Sequence, residues 1–341
     1  MGVAFSEAMD QVQQAAAQVF EADPRVRSLG VGRHGSGFAY VAVRNAALPV
    51  PLGLQLPIGA NYQGIPVTFL DGHRDPEGLA KVPLSGPASP TVGSLVPEQG
   101  LHRPLVCGLQ IENLDDDQRT GVIAGGYIIV GTLGCFVTLA GGGLAILSNN
   151  HVVAGVNRGQ RKADRIEQPG VGQVIPGGQA GVLTDFIALQ PSPAGATLKL
   201  GTVILNEIDA GVAELAASIG SSQQYLPSRT GVAAPRGSGA PQVGDQVHKV
   251  GRTTGLTHGE VKQVGTIVGP LPYAPGPCWF RNSITIEGLN GTMFSDLGDS
   301  GSAVVRSSDG EVVGLLFAGN GQQSYACPID AVLQSLSCAI A

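Results

Sequence analysis

One long stretch of the chain carries no charge but is broken repeatedly by glycine. Residues 120–157 contain no Asp, Glu, Lys or Arg, and the part 121–148 is long enough to span a bilayer as a helix. That part also holds eight glycines, and each glycine costs a helix interior about 1 kcal/mol relative to alanine. We therefore predict short β strands separated by glycine turns, at Tyr127–Val130, Cys135–Leu139 and Leu144–Leu147.

The composition of the whole chain agrees with a β architecture. Its 341 residues include 51 glycines and 23 prolines, and only 13% are charged, which favours mainly β domains over helical bundles. The formal net charge of −6 and the lack of a basic cluster argue against a nucleic acid or an anionic membrane as partner. No CxxC, HExxH or GxxxxGKS/T motif occurs, so we expect neither a metal ion nor an organic cofactor.

Composition also divides the chain into segments. Residues 5–22 have the apolar stripe of a helix, and three strand-like runs follow it before residue 75. From residue 105 onward, short β runs recur with glycine punctuation, and the last dozen residues again have helical composition. The predicted organisation is a small α+β N-terminal domain (1–75), a proline-rich linker (76–104), a first β-barrel (105–220), a connector (221–244) and a second β-barrel with a C-terminal helix (245–341).

The cysteines and the N-terminus bear on the compartment. Five cysteines, widely spaced and odd in number, give little basis for a disulfide framework. The N-terminal residues lack the basic and apolar regions of a secretory signal, so we expect free thiols and a cytoplasmic protein. Met1-Gly2 with Ser6 fits the N-myristoylation pattern, but that pattern is short and matches many sequences by chance.

The clearest chemical signature is Gly298-Asp299-Ser300-Gly301-Ser302, which precedes an apolar run at 303–305. Two glycines around an Asp-Ser pair make a tight turn whose backbone N–H groups can point to one side. Such a turn can present a serine hydroxyl to a carbonyl carbon and N–H donors to the oxyanion that forms. The hydroxyl needs a base, and His151, at the end of an apolar run, is the candidate.

With these motifs the chain resembles the chymotrypsin/trypsin-like serine proteases (PA clan) over residues 105–341. His151 lies in SNNHVV and Ser300 in GDSGSAVV, both similar to the family's motifs. Residues 314–319 resemble the strand beside the substrate cleft, and 251–255 resemble a hairpin of bacterial members. Within the family the chain looks most like intracellular trypsin-like proteins related to the plant narrow-leaf protease and their bacterial cousins. The resemblance implies a double β-barrel and the chain order His, Asp, Ser.

The acid of the implied triad must lie between His151 and the connector. Asp209, in Asn206–Ala213, best resembles the family's acid-bearing strand, and Asp185, in Thr184–Leu189, is the runner-up. We prefer Asp209 because the small residues that follow it leave room for the histidine ring that the acid must orient.

The resemblance also implies roles around the nucleophile. Ser300 would attack a scissile carbonyl, His151 would take and return its proton, and Asp209 would fix the imidazole tautomer. The backbone N–H groups of Gly298 and Ser300 would form the oxyanion hole. In bacterial relatives an arginine of the hairpin pairs with the acid before the serine, which implies an Asp299–Arg252 ion pair.

The substrate is less well defined by the sequence. Phe294 stands six residues before Ser300, where trypsin has an acidic pocket floor, so cleavage after Lys or Arg is not implied, although Asp296 is near. The cleft strand would contribute Phe317, Ala318 and Gly319. We therefore predict a serine endopeptidase that acts on a protein or peptide, with a homo-oligomer left open. The alternatives are a catalytically silent binding or scaffold module, and a membrane-attached protein that spans through 121–148 or is acylated at Gly2.

Overall fold

The protein was analysed as a computed structural model, which describes residues 5–50, 61–72, 74–78, 80–83, 96–216, 218–274 and 276–341; only the backbone of 80–83 is described. The acylation site Gly2 and residues 84–95 of the predicted linker lie outside the described residues. In chain order the elements are α1 (Phe5–Ala22), β1 (Val26–His34), β2 (Gly37–Asn45), β3 (Asn61–Tyr62), β4 (Ile65–Gly72), β5 (Ala80–Pro83), β6 (Leu105–Val106), β7 (Gln110–Asn113), α2 (Leu114–Arg119), β8 (Tyr127–Thr132), β9 (Cys135–Leu139), β10 (Leu144–Ser148), α3 (Asn150–Val153), β11 (Arg165–Glu167), β12 (Gln179–Phe186), β13 (Leu205–Asn206), β14 (Gly211–Leu215), β15 (Ser221–Ser222), β16 (Gln246–Gly251), β17 (Gly255–Tyr273), β18 (Gly276–Gly288), β19 (Ala303–Arg306), β20 (Val312–Gly319), β21 (Gln323–Pro328), α4 (Ile329–Ser335) and β22 (Cys338–Ile340).

The fold is mainly β, as the sequence predicts, and an N-terminal helix precedes the β elements. Helix α1 buries Ala8, Ala15, Ala16 and Val19, the same face that the apolar stripe indicates. This face packs against β1 and β2, where it meets Leu29, Val31 and other apolar side chains of one core cluster.

Two large sheets hold most of the chain. A nine-stranded sheet has the order β22-β9-β10-β14-β12-β11-β7-β8-β5, and an eleven-stranded sheet has the order β13-β18-β21-β20-β19-β16-β17-β1-β2-β4-β3. The large core between them includes Leu147, Val153, Val305 and Phe317. His151 follows strand β10 of the nine-stranded sheet and Ser300 precedes strand β19 of the eleven-stranded sheet, so the candidate site lies where the sheets meet.

The uncharged stretch 121–148 forms strands β8, β9 and β10 of the nine-stranded sheet, as the glycine pattern predicts. This stretch therefore does not form the helix that the membrane-spanning alternative needs. Among the described residues, no helix has both the length and the apolar character needed to cross a bilayer.

The C-terminus departs from the prediction of a helix that reaches Ala341. Helix α4 ends at Ser335, Ser337 takes a positive φ of 49°, and β22 then pairs with β9. The predicted linker also departs from expectation at its start, because Glu77 bridges to Gly319 and β5 pairs with β8. Both departures arise from pairing with strands that are distant in sequence, which local composition does not encode.

The core of the nine-stranded sheet contains a buried carboxyl pair, Glu112 on β7 and Asp117 on α2. Burial, which disfavours the charged form, raises the pKa of Glu112 to about 7 and the pKa of Asp117 to about 8. The backbone N–H of Ile129 donates to Asp117 Oδ2 at 2.6 Å, which opposes this shift in part. The folded protein therefore holds protons on this pair that the unfolded chain releases near its ordinary carboxyl pKa values.

We expect this pair to make the free energy of unfolding fall as the pH rises. Between the unfolded and the folded pKa, the native state binds more protons than the unfolded chain. The contribution of this pair to the free energy of unfolding is therefore highest at low pH, and it is lost as the pH rises toward about 8. One such group contributes a slope of up to about 1.4 kcal/mol per pH unit. Asp117→Asn keeps an acceptor for the Ile129 N–H and should flatten the slope measured by urea unfolding between about pH 5 and pH 8. An unchanged slope would contradict this assignment.

Candidate active site

The turn at Ser300 needs both of its glycines. Gly298 and Gly301 have φ of 100° and 93°, a region that residues with a Cβ rarely adopt. A Cβ at Gly298 would lie 2.5 Å from Thr253 Oγ1, and one at Gly301 would lie 2.3 Å from the Thr132 carbonyl oxygen. Ser302 closes the turn by donating its hydroxyl to the Asp299 carbonyl at 2.6 Å. The backbone around the serine is therefore fixed before any substrate arrives.

His151 and Asp209 lie in contact. His151 is on the short helix α3, and its Nδ1 lies 2.6 Å from Asp209 Oδ2, while its backbone N–H donates to Asp209 Oδ1 at 3.2 Å. Both side chains are buried. The other ring nitrogen, Nε2, is also buried and has no hydrogen-bond partner among the described residues. Because Asp209 holds Nδ1–H, Nε2 is left as the proton acceptor.

Tyr273, on β17, is a member of this cluster that the sequence analysis does not identify. Its hydroxyl donates to Asp209 Oδ2 at 2.9 Å and lies 3.3 Å from His151 Nδ1. Burial and the neighbouring carboxylate raise the pKa of Tyr273 well above its usual value, so the phenol stays protonated and remains a donor. Its only sequence signal is an aromatic residue in a Pro-Tyr-Ala-Pro run, which is typical of many turns.

Asp185, the runner-up acid, does not approach the histidine. Its side chain is 51% exposed and pairs with Arg161, with 2.7 Å between Oδ1 and Nε. In β12 it faces solvent at a register shift opposite Val212, so its apolar sequence neighbours do not bury it. The runner-up choice of Asp185 as the acid beside His151 is therefore wrong.

The prediction that Asp299 forms an ion pair with Arg252 is wrong. The partner of Asp299 is Lys249, whose Nζ lies 3.1 Å from Oδ2, and both side chains are fully buried. Asp299 also accepts hydrogen bonds from the backbone N–H of Thr253 at 2.8 Å and the hydroxyl of Thr254 at 2.7 Å. Burial lowers the pKa of Lys249, and the charge of Asp299 opposes that shift.

Arg252 supports the turn in a different way from that predicted. Its Nε donates to Gln110 Oε1 at 2.7 Å, and its backbone N–H donates to Thr132 Oγ1 at 3.1 Å. Arg252 does not pair with Asp299 because of the geometry of the β16–β17 hairpin, in which Gly251 faces Gly255. The intervening residues Thr253 and Thr254 donate hydrogen bonds to the carboxylate of Asp299 in its place. Arg252 thereby ties the hairpin to strand β7 of the other sheet.

The predicted cleft residues divide into two groups. The side chains of Phe294 and Phe317 are in the core and do not line a cleft, since each is no more than 1% exposed. Phe294 belongs to the core cluster that contains Val261, and the Phe317 ring packs on Phe280 at 4.6 Å between centroids. The backbone of β20 faces the serine instead, together with a small cavity lined by Ser295, Asp296, Leu297, Ala318 and Gly319.

The hydroxyl of Ser300 binds backbone carbonyls rather than the imidazole. It donates to the Gly78 oxygen at 2.8 Å and lies 3.3 Å from the Phe317 oxygen. A Cβ at Gly78 would lie 2.5 Å from the Tyr273 hydroxyl, which itself contacts His151 and Asp209. Gly78 is therefore in contact with the serine on one side and with the His–Asp–Tyr cluster on the other.

Comparison with known proteins gives structural similarity only. The sequence matches no protein-family model and no curated protein. Among solved structures, the chain is similar to a Nocardiopsis protease with a TM-score of 0.46, 16% identity and coverage of 69% of this chain and 98% of that one. It is also similar to a glutamic acid specific serine protease (TM-score 0.45, 16% identity, 70% and 100% coverage) and to a Cellulomonas bogoriensis chymotrypsin (0.41, 17%, 62% and 90%). Similarity at this level of identity concerns the fold alone.

Proposed function

We propose that the protein is a serine endopeptidase in which Ser300 is the nucleophile, His151 the general base and Asp209 the orienting acid. The observation that carries this proposal is the buried His151–Asp209 contact at 2.6 Å, which leaves Nε2 as an acceptor. Gly78 lies between this cluster and the Ser300 hydroxyl, since its carbonyl accepts from Ser300 and a Cβ on it would lie 2.5 Å from the Tyr273 hydroxyl. Nucleophile, base and orienting acid are the three parts that serine-based acyl transfer requires. The likeness of the motifs to trypsin-like proteases, and to the narrow-leaf group among them, is part of the same proposal.

The chemistry follows from the positions of the protons. Ser300 Oγ adds to the carbonyl carbon of the substrate while its proton passes to His151 Nε2. The imidazolium is stabilised by Asp209 and returns that proton to the leaving amine as the C–N bond breaks. Water then attacks the acyl ester with His151 as base, which releases the carboxylate product and restores the Ser300 hydroxyl.

The oxyanion would be received by the backbone N–H groups of Gly298 and Ser300. The turn that carries them is held by Thr132, whose hydroxyl donates to the Gly298 carbonyl at 3.0 Å, and by Lys249, which neutralises Asp299. Donors that are fixed in advance need no reorganisation as negative charge develops. One lost donor of this kind typically costs about 3 kcal/mol of transition-state stabilisation.

An extended polypeptide is the substrate class that the site supports. Backbone groups on both sides of the serine form antiparallel pairs with extended chain, at Gly319 of β20 and at Val130 of β8. Pairing of this kind recognises the main chain of an extended peptide. The five cysteines are free thiols, four of them buried, which supports a cytoplasmic setting for this activity.

Labelling with a fluorophosphonate tests the proposal directly. The probe should attach to Ser300, identified by peptide mapping, and Ser300→Ala should not be labelled. Cleavage of a denatured proteome by the wild type and by Ser300→Ala then shows whether the acylated serine turns over peptide bonds. Labelling that does not depend on Ser300 or His151, together with no cleavage, would favour the silent binding module.

Tyr273→Phe tests the role of the residue that the sequence did not indicate. Removal of the hydroxyl takes one donor from Asp209, and a hydrogen bond to a charged group is worth about 1.5–3 kcal/mol, so kcat should fall by about tenfold or more. Tyr273→Phe with unchanged kcat and an unchanged free energy of unfolding would contradict this role for the hydroxyl.

A further inference from the structure

Residues 74–78, here termed the cleft segment, lie across the proposed active site. The N–H of Glu77 donates to the Gly319 carbonyl at 2.9 Å, and the N–H of Gly319 donates back to the Glu77 carbonyl at 2.9 Å. On the far side, strand β5 begins at Ala80 and pairs antiparallel with β8, Ala80 opposite Val130. The chain therefore uses its own backbone to make, on both sides of Ser300, the pairs that an extended peptide would make.

Gly78 marks the closest approach to the catalytic groups. It is buried, and its carbonyl accepts a hydrogen bond from the Ser300 hydroxyl at 2.8 Å, so that O–H is not directed at His151 Nε2. A Cβ at this position would lie 2.6 Å from the Phe317 carbonyl oxygen and 2.5 Å from the Tyr273 hydroxyl. A backbone oxygen cannot move away cheaply, so only glycine fits here while the cleft segment is in place.

Two side chains that precede Glu77 and Gly78 in the chain anchor the cleft segment. Asp75 accepts from Arg27 Nε at 2.6 Å and from Asn45 Nδ2 at 2.7 Å, which ties it to strands β1 and β2. Arg74 Nη2 lies 2.8 Å from Asp296 Oδ1, at the cavity beside the serine. The space left in that cavity is about 10 Å³, too little for more than a single water.

We propose, on the basis of the proposed function, that the cleft segment is an intramolecular inhibitor that the N-terminal unit, residues 5–50 and 61–72, holds in the peptide-binding cleft. A tethered occupant has an effective concentration of about millimolar. A peptide substrate at micromolar concentration therefore competes poorly until the cleft segment leaves. The apparent reactivity of Ser300 then scales with the fraction of molecules in which the cleft is open.

The test compares variants that displace the cleft segment. Gly78→Ala places a methyl group against the Phe317 carbonyl, and Arg74→Ala removes the half-exposed ion pair with Asp296, so at least the second should leave the fold intact. Gly141→Ala is the matched control, because a Cβ there meets nothing within 4 Å. We expect Gly78→Ala to react with the fluorophosphonate at least about tenfold faster than wild type, Arg74→Ala to be intermediate, and Gly141→Ala to be unchanged.

A binding measurement makes the inference independent of catalysis. In a Ser300→Ala background, a fluorescent peptide that copies residues 74–83 should bind the Gly78→Ala protein at least about tenfold more tightly than the parent, by anisotropy. Equal labelling rates and equal peptide affinity across the variants would overturn the cleft segment as an inhibitor and leave the proposed function standing. A gain in peptide affinity with no labelling of any variant would support the occupied cleft and count against the catalytic proposal.

Discussion

Asp209→Asn is expected to lower kcat by about 10⁴ with little change in KM. Asp209 accepts the Nδ1–H of His151 at 2.6 Å, and that bond leaves the lone pair of Nε2 for the Ser300 proton. The amide of an asparagine would donate to Nδ1 and place the ring hydrogen on Nε2, so the base would be lost although its geometry is retained. Peptide hydrolysis should be measured in the Gly78→Ala background, in which the cleft is expected to be open.

The matched control is the same substitution at the exposed Asp185. Asp185 pairs with Arg161 at the surface and contacts no member of the proposed triad, so Asp185→Asn should keep its activity within about twofold. Urea unfolding of both variants shows whether a loss of activity reflects a loss of fold. An Asp209→Asn enzyme that keeps a tenth or more of the turnover would be incompatible with Asp209 as the orienting acid.

Lys249→Met should reduce the free energy of unfolding by about 3–5 kcal/mol, the cost of leaving one member of a buried ion pair without its partner. Lys249 and Asp299 are both fully buried, with 3.1 Å between Nζ and Oδ2. Methionine fills similar space without the charge, so the carboxylate of Asp299 keeps only neutral donors, among them the backbone N–H of Thr253 and the hydroxyl of Thr254. Because Asp299 precedes the nucleophile, we expect the turn to loosen and the fluorophosphonate reaction to slow.

Lys262→Met is the control for the Lys249 variant. Lys262 pairs with Glu260 at 2.8 Å on the surface, with the two side chains 39% and 28% exposed. An ion pair of this kind is worth no more than about 1 kcal/mol, and the control should unfold close to the wild type. Equal unfolding free energies for the two variants would disprove the buried pair as the support of the turn.

The local parts of the site could be predicted from the sequence, because the conformation of each depends on a few consecutive residues. The Gly298–Ser302 turn needs positive φ at two fixed positions, and glycine supplies it there. His151 follows the apolar strand β10 and lies in the first turn of the short helix α3. The apolar run before His151 is visible in the sequence. The choice of Asp209 over Asp185 depended on side-chain size, which is also a local property.

The remaining parts depend on pairing between distant segments. Lys249 and Arg252 lie three residues apart, and only the register of the β16–β17 hairpin decides which of them reaches Asp299. Tyr273 and Gly78 meet the catalytic groups across long sequence separations, at residues with no motif of their own. Phe317 is in the core instead of the cleft because the facing direction of a strand residue changes with a shift of one position. Phe294 lies in the loop between β18 and β19, where its ring packs into the core.

Strand β1 has a consequence for any attempt to isolate the proposed catalytic part. It pairs with β17, Ser28 opposite Val268 and Leu29 opposite Ile267, so the eleven-stranded sheet runs without a break into the N-terminal unit. A chain shortened to residues 105–341 would present the unpaired N–H and C=O groups of β17 along this border. Exposed edges of this kind recruit further strands, so the shortened chain should self-associate more than the full chain. By covering this border, strand β1 would lower the tendency of the proposed catalytic part to aggregate.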